Sequence, residues 1–195
     1  RVSRQLGGIH VVAYDRHGYG HSVADRPHRT VAEHADDLLT VIAGRTCGVI
    51  GHSYGGVVAL LAAIDHPEVI ASVGAFEAPM PWQPWWPEAS AGSAAVAAES
   101  PEEAAEAFMR TVVGDRIWTR LPRATRDARR AEGPTLLAEM TSIREVAPFD
   151  PAEVGVPTVA GYGTASESRH RESAARLAGA VPTAEVYPID GAGHG

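Results

Sequence analysis

The sequence predicts an α/β fold in which a mostly parallel sheet is interrupted by a long helical insertion. Three observations carry this. Short apolar runs rich in β-branched residues alternate with amphipathic helical stretches, the order that builds a parallel sheet with crossover helices. One of these runs, 47–50, leads through Gly51-His52-Ser53-Tyr54-Gly55 directly into the helix-like stretch 57–64, a sharp strand–turn–helix junction. Residues 80–148 contain helical patterns and a Pro/Trp segment but no strand-like run.

In chain order, residues 9–14 (Ile-His-Val-Val-Ala-Tyr) read as a buried strand closed by Asp15, and 16–22 as a Gly-rich loop. Thr30-Val31-Ala32-Glu33 is a capping box: the Thr hydroxyl serves the N3 amide and the Glu carboxylate reaches back to the N-cap amide. The helix it opens puts Val31, Ala35, Leu38, Leu39 and Ile42 on one face and stops at Gly44. A second strand, 47–50, precedes a helix over 54–65 with Pro67 beyond its end, and a third strand follows at 69–76. The segment Pro79-Met80-Pro81-Trp82-Gln83-Pro84-Trp85-Trp86-Pro87 excludes a helix interior or a central strand, because proline lacks the amide proton both require. An Ala/Ser/Gly-rich stretch, 89–100, reads as frayed helix, and helices are predicted over 101–113, 119–130 and 135–146. Alternation resumes with a strand at 156–162, a helix at 167–178 stopped by Gly179, and a strand at 184–189 whose Pro188 assigns it to a sheet edge. The predicted organisation is a core of residues 1–79 and 149–195 with a helical cap over 80–148.

Composition bounds the function. A 195-residue chain that is 45% hydrophobic can bury one domain's core. A formal charge of −7 without a basic stripe disfavours a nucleic-acid partner. Every basic residue is arginine, which reads as compositional bias. The lone Cys47 excludes an internal disulfide and suits a reducing, cytoplasmic setting. No run is long enough to span a membrane, and residues 1–6 lack the apolar core of a signal peptide. His17 with His21, and His28 with His34, lack metal-ligand spacing, and no P-loop or dinucleotide fingerprint is present, so no metal or organic cofactor is expected.

The chemistry concentrates at Ser53. A serine hydroxyl is a weak nucleophile and needs a base; His194, on the Gly-rich loop Gly191-Ala192-Gly193, can supply it. A carboxylate must then fix the imidazole tautomer. Glu77, directly after the strand that should neighbour the Ser53 strand, is the chosen acid; Glu167 and Asp190 are the alternatives. The Tyr54 amide, at the start of a helix, is an oxyanion donor. Trp82, Trp85 and Trp86 read equally well as a wall of the acyl pocket or as anchors of the cap. The cap arginines interleave with acids, as on a solvated helical face.

Together these parts resemble the α/β-hydrolase fold family. The loop Asp15 to Ser22 looks like that family's loop after its fourth strand, Gly51 to Gly55 like its nucleophile elbow, and Gly191-Ala192-Gly193-His194 like its catalytic-histidine loop. The insertion sits where the family carries its cap. The resemblance implies a sheet incomplete at its N-terminal side, since the family's third strand and its His-Gly oxyanion element have no counterpart; it therefore implies a segment of a longer chain. The place after the seventh strand where many members carry aspartate holds Ser166, whereas Glu77 follows the sixth, as in dehalogenase-like members. The implied activity is a serine hydrolase acting on a small-molecule acyl substrate through Ser53, His194 and Glu77; a non-catalytic ligand-binding protein and an inactive fragment are the other readings.

Overall fold

The computed structural model describes residues 8–23 and 30–194; Arg1–Leu6, His28 and Gly195 lie outside them. Four parallel strands, β1 (Cys47–His52), β2 (Ile70–Phe76), β3 (Thr158–Gly163) and β4 (Ala184–Ile189), form one sheet in the order β1-β2-β3-β4. The crossover helices are α2 (Tyr54–Asp65) between β1 and β2, and α8 (Ser168–Ala180) between β3 and β4. Helix α1 (Val31–Ile42) precedes β1 and packs on α2. Its capping box forms as the sequence predicts: the Glu33 amide donates to Thr30 Oγ1 (3.2 Å) and the Thr30 amide to Glu33 Oε2 (2.9 Å). Helix α2 is apolar all round and correspondingly buried, from Val57 to Ala63.

The register aligns Val49, Val73, Thr158 and Ala184 in one row, on the face that α2 and α8 cover. The adjacent row, Ile50, Gly74, Val159 and Glu185, points the other way, and Ile50 is 82% exposed. Among the described residues the sheet is thus covered on one face. Pro188 sits in β4, an edge strand as predicted, where the absent amide proton breaks no ladder bond.

Between β2 and β3 the chain forms only helices: α3 (Ala91–Val96), α4 (Pro101–Val113), α5 (Asp115–Arg120), α6 (Arg123–Ala131) and α7 (Gly133–Glu145). They pack mainly on one another, around α4 and α7. The helix predicted over 119–130 is in fact two, broken at Leu121-Pro122, because the residue before proline is driven out of the helical region. Several cap arginines are paired, as on a solvated face: Arg130 and Arg110 share Glu106, and Arg129 meets Glu132.

One predicted strand is absent. Residues 9–14 take no regular structure, and Ile9 and Val12 are more than half exposed. Apolar, β-branched character supplies a preference for extended backbone, but a strand exists only beside another strand, and none lies alongside this segment. Among the described residues no helix is long and apolar enough to cross a membrane.

Candidate active site

The loop after residue 14 is tied down by α7. Arg16 Nη1 donates to Glu139 Oε1 (2.5 Å), the Tyr19 hydroxyl donates to Glu139 Oε2 (2.6 Å), and His34 Nε2 of α1 lies 2.6 Å from Glu139 Oε1. The Gly20 amide adds a bond to Glu132. At Gly18 the backbone passes so close to Thr135 that a Cβ would fall 1.9 Å from its hydroxyl, and φ is +85°. Burial pushes the Glu139 carboxyl up, but the His34 bond and the Arg16 charge outweigh it and hold the group ionised. Replacing Glu139 by glutamine strands a guanidinium that is itself largely buried; the expected cost is about 3–5 kcal/mol, read as a lower urea midpoint. The double replacement Arg16→Met with Glu139→Leu should recover only part of that loss, because it removes the stranded cation but still takes from the Tyr19 hydroxyl and the His34 ring the carboxylate they face.

Ser53 follows β1 with φ +53° and ψ −126°, a conformation that non-glycine residues avoid. Its amide donates to the Phe76 carbonyl (2.9 Å), and its side chain makes no capping bond to α2, so the hydroxyl is left free. Gly51 is required by contact: a Cβ there would lie 2.1 Å from the Gly55 carbonyl oxygen. At Gly55 a Cβ would meet nothing within 4 Å, and the residue opens onto the cavity. The Tyr54 amide begins α2 and has no acceptor within that helix.

Glu77 comes directly after β2 in a left-handed conformation (φ +51°) and is 1% exposed. Its amide donates to Gly161 of β3, which turns the side chain across the end of the sheet. Oε1 accepts from the Gly163 amide (2.7 Å), and Oε2 lies 2.5 Å from His194 Nδ1. Burial pushes the carboxyl up, while the nearby Ser166 side chain, the Gly163 amide and His194 outweigh it, leaving the group below the usual carboxylate range. Glu167 instead pairs with Arg169 on the cavity wall, away from His194, and Asp190 accepts from the Thr164 hydroxyl of the turn after β3.

A second histidine escaped the sequence reading. His170 of α8 is buried and stacks on His194, centroids 4.4 Å apart and rings 15° from parallel, with Nδ1 3.7 Å from Glu77 Oε2. Burial, assisted by the neighbouring His194, Arg169 and His52, pulls its pKa down to about 4 against the opposing pull of Glu77. The folded protein therefore binds fewer protons there than the unfolded chain between pH 6.5 and 4. Stability should be full above pH 6.5 and fall as the pH drops toward 4. Urea midpoints across that window should decline in the native protein and decline less in His170→Phe. The contribution of Glu77 behaves separately, being lost only below about pH 4.5 as its carboxylate takes up a proton. The sequence presents His34 only as a poorly spaced metal ligand; on the apolar face of α1 nothing local announces its partner on α7.

Ser53, His52, Tyr54, Trp86, His170 and His194 line one cavity of about 460 Å³ between the carboxyl end of the sheet and helices α4 and α7. No Ser53–His194 hydrogen bond forms among the described residues. Of the three tryptophans, only Trp86 lines the cavity; Trp82 packs edge-on against Phe149, and Trp85 lies between Trp86 and Arg176, so these two anchor the segment. His52, Glu77 and His194 each offer a ligand atom within 4.8 Å of the others. A metal ion held by all three would compete with the Glu77–His194 bond.

Residues 2–195 match the family described as the alpha/beta hydrolase family. A stretch of 67 residues is 40% identical to the Caulobacter vibrioides protein named "Putative carbamate hydrolase RutD", covering 32% of this chain and 25% of that protein. The chain thus matches a quarter of that relative's length. Among solved structures, the serine hydrolase involved in carbazole degradation, the CarC enzyme, aligns with a TM-score of 0.63 at 19% identity, over 92% of this chain and 70% of that one. An alpha/beta hydrolase from Sphaerobacter thermophilus aligns with a TM-score of 0.56 at 26% identity, over 90% and 72% respectively. With the family matched along nearly its whole length and the parallel sheet, crossover helices and strained serine turn in place, the chain belongs to the alpha/beta hydrolase family.

Proposed function

We propose that the protein is a serine hydrolase that cleaves an ester or related acyl bond of a small molecule. Ser53 attacks the carbonyl, His194 accepts its proton, and Glu77 orients and neutralises the resulting imidazolium. The collapsing intermediate expels the leaving group, which takes the proton back from His194, and water repeats the sequence on the acyl-enzyme. The Tyr54 amide, at the positive end of α2, supports the developing oxyanion. One observation carries the reading: the 2.5 Å contact between His194 Nδ1 and a carboxylate that is buried and held ionised. It leaves Nε2 as the ring nitrogen able to receive a proton in a cavity that Ser53 shares. The absence of a resting Ser53–His194 bond is compatible with this, since such contacts tighten when substrate binds.

The test is reaction of the native protein with a fluorophosphonate, read by intact mass and peptide mapping. A single adduct on Ser53 supports the proposal. A folded protein that takes no label is a ligand-binding member of the family.

A further inference from the structure

The cavity wall carries three guanidinium groups, and two are neutralised. Arg16 is paired with Glu139, and Arg169 with Glu167. Arg144, in the last turn of α7, has no carboxylate partner among the described residues. It spends one donor on the Met140 carbonyl (2.9 Å) and one on Ser90 Oγ (2.9 Å). A guanidinium has five N–H donors, so three remain without a protein acceptor. Its place is made by a glycine: a Cβ on Gly92, which also lines the cavity, would lie 2.6 Å from both terminal nitrogens of Arg144. Burial without a compensating anion pulls the group below its ordinary value, the mark of a cation that desolvation leaves under-stabilised. Trp86 lines the same cavity, and its indole N–H is buried without an acceptor. Both groups donate and neither accepts. Around them the wall is apolar, with Phe108, Leu136, Met140 and Ile143.

From this we infer that Arg144, assisted by the Trp86 N–H, is a subsite for a carboxylate carried by the substrate in addition to its scissile carbonyl. The inference rests on the hydrolase reading above and narrows it to acidic acyl compounds. A carboxylate there supplies the missing counter-charge and accepts the unused donors. A neutral substrate would fill the same space and leave the guanidinium unpaired, so discrimination arises from both gain and penalty.

The test compares p-nitrophenyl monoesters of succinate, glutarate and adipate with neutral p-nitrophenyl butyrate, pentanoate and hexanoate. It also compares 4-butyryloxybenzoate with phenyl butyrate, which places the acid on the leaving group. The native protein should favour at least one acidic ester over its neutral counterpart by about tenfold to a hundredfold in kcat/KM, the range of a charge-assisted hydrogen bond. Arg144→Met should erase that preference mainly through KM and leave the neutral esters within about threefold, which also reports that the fold survives. Arg144→Lys should keep part of the preference, and Trp86→Phe should lower it. Equal or better use of neutral esters by the native protein, or a preference that survives Arg144→Met, overturns the inference. If no ester turns over and no fluorophosphonate adduct forms, the hydrolase reading fails on its own. The subsite is then decided by calorimetry: adipate binding that adipamide does not share and that Arg144→Met removes supports it, and equal or absent binding overturns it.

Discussion

Ser53→Ala is expected to lower turnover of an activated ester by about a millionfold and to abolish fluorophosphonate labelling. The loss is large because the hydroxyl is the only atom through which the acyl-enzyme route passes. What remains is the assistance of the cavity and the Tyr54 amide, worth roughly a thousandfold to ten-thousandfold over water. Alanine should leave the fold in place: the Ser53 side chain makes no capping bond, while its amide bond to Phe76 belongs to the backbone and persists. Active-site titration and turnover of p-nitrophenyl butyrate by the two proteins measure the effect, with the urea midpoint as the control for folding. Turnover within a hundredfold of native would place the nucleophile elsewhere.

Glu77→Gln is expected to cost about a thousandfold to ten-thousandfold in kcat with KM nearly unchanged. The direction follows from the hydrogen bonds. Oε1 accepts from the Gly163 amide, so the glutamine carbonyl must occupy that position. Its NH2 group then faces His194 Nδ1 and donates to it. The imidazole is forced to carry its proton on Nε2, the nitrogen that should receive the proton of Ser53. The variant therefore keeps its shape and loses its base. A fluorophosphonate reaction rate that falls in step with kcat, and a shift of the His194 ring nitrogens to the opposite tautomer by NMR, would confirm the account. A labelling rate within tenfold of native would assign the orienting role to another group.

Sequence reasoning reached the parts whose causes are local. The turn at Ser53 follows from Gly51, whose missing Cβ lets two backbone segments approach, and from the apolar runs on either side. The start of α1 follows from Thr30 and Glu33, three residues apart. Glu77 could be singled out because it ends the strand beside the one bearing Ser53. Features made by distant encounters were not legible. Arg16 and Glu139 meet across 123 positions, and neither residue signals the other. His170 looks like any polar residue in the first turn of α8, and its stacking on His194 depends on where the chain's last loop returns. Arg144 was indistinguishable from the other arginines of its region; only the geometry separates it from those that met an acid. The same holds for the tryptophans, equivalent on paper and divided in space, and for residues 9–14, whose composition cannot report whether a neighbour is available.

Among the described residues the strand that carries Ser53 is paired on one side. Among the described residues β1 pairs with β2, and Ser53 hangs from β2 through the Phe76 carbonyl, while β2 and β3 are each held from both sides. Glu77 is anchored from the better-held β3, through Gly161 and Gly163. Ser53 and Glu77 thus sit on footings of unequal firmness. In residues 1–195 taken alone, mild heat or low denaturant should therefore free Ser53 from its partners while Glu77 stays anchored to β3.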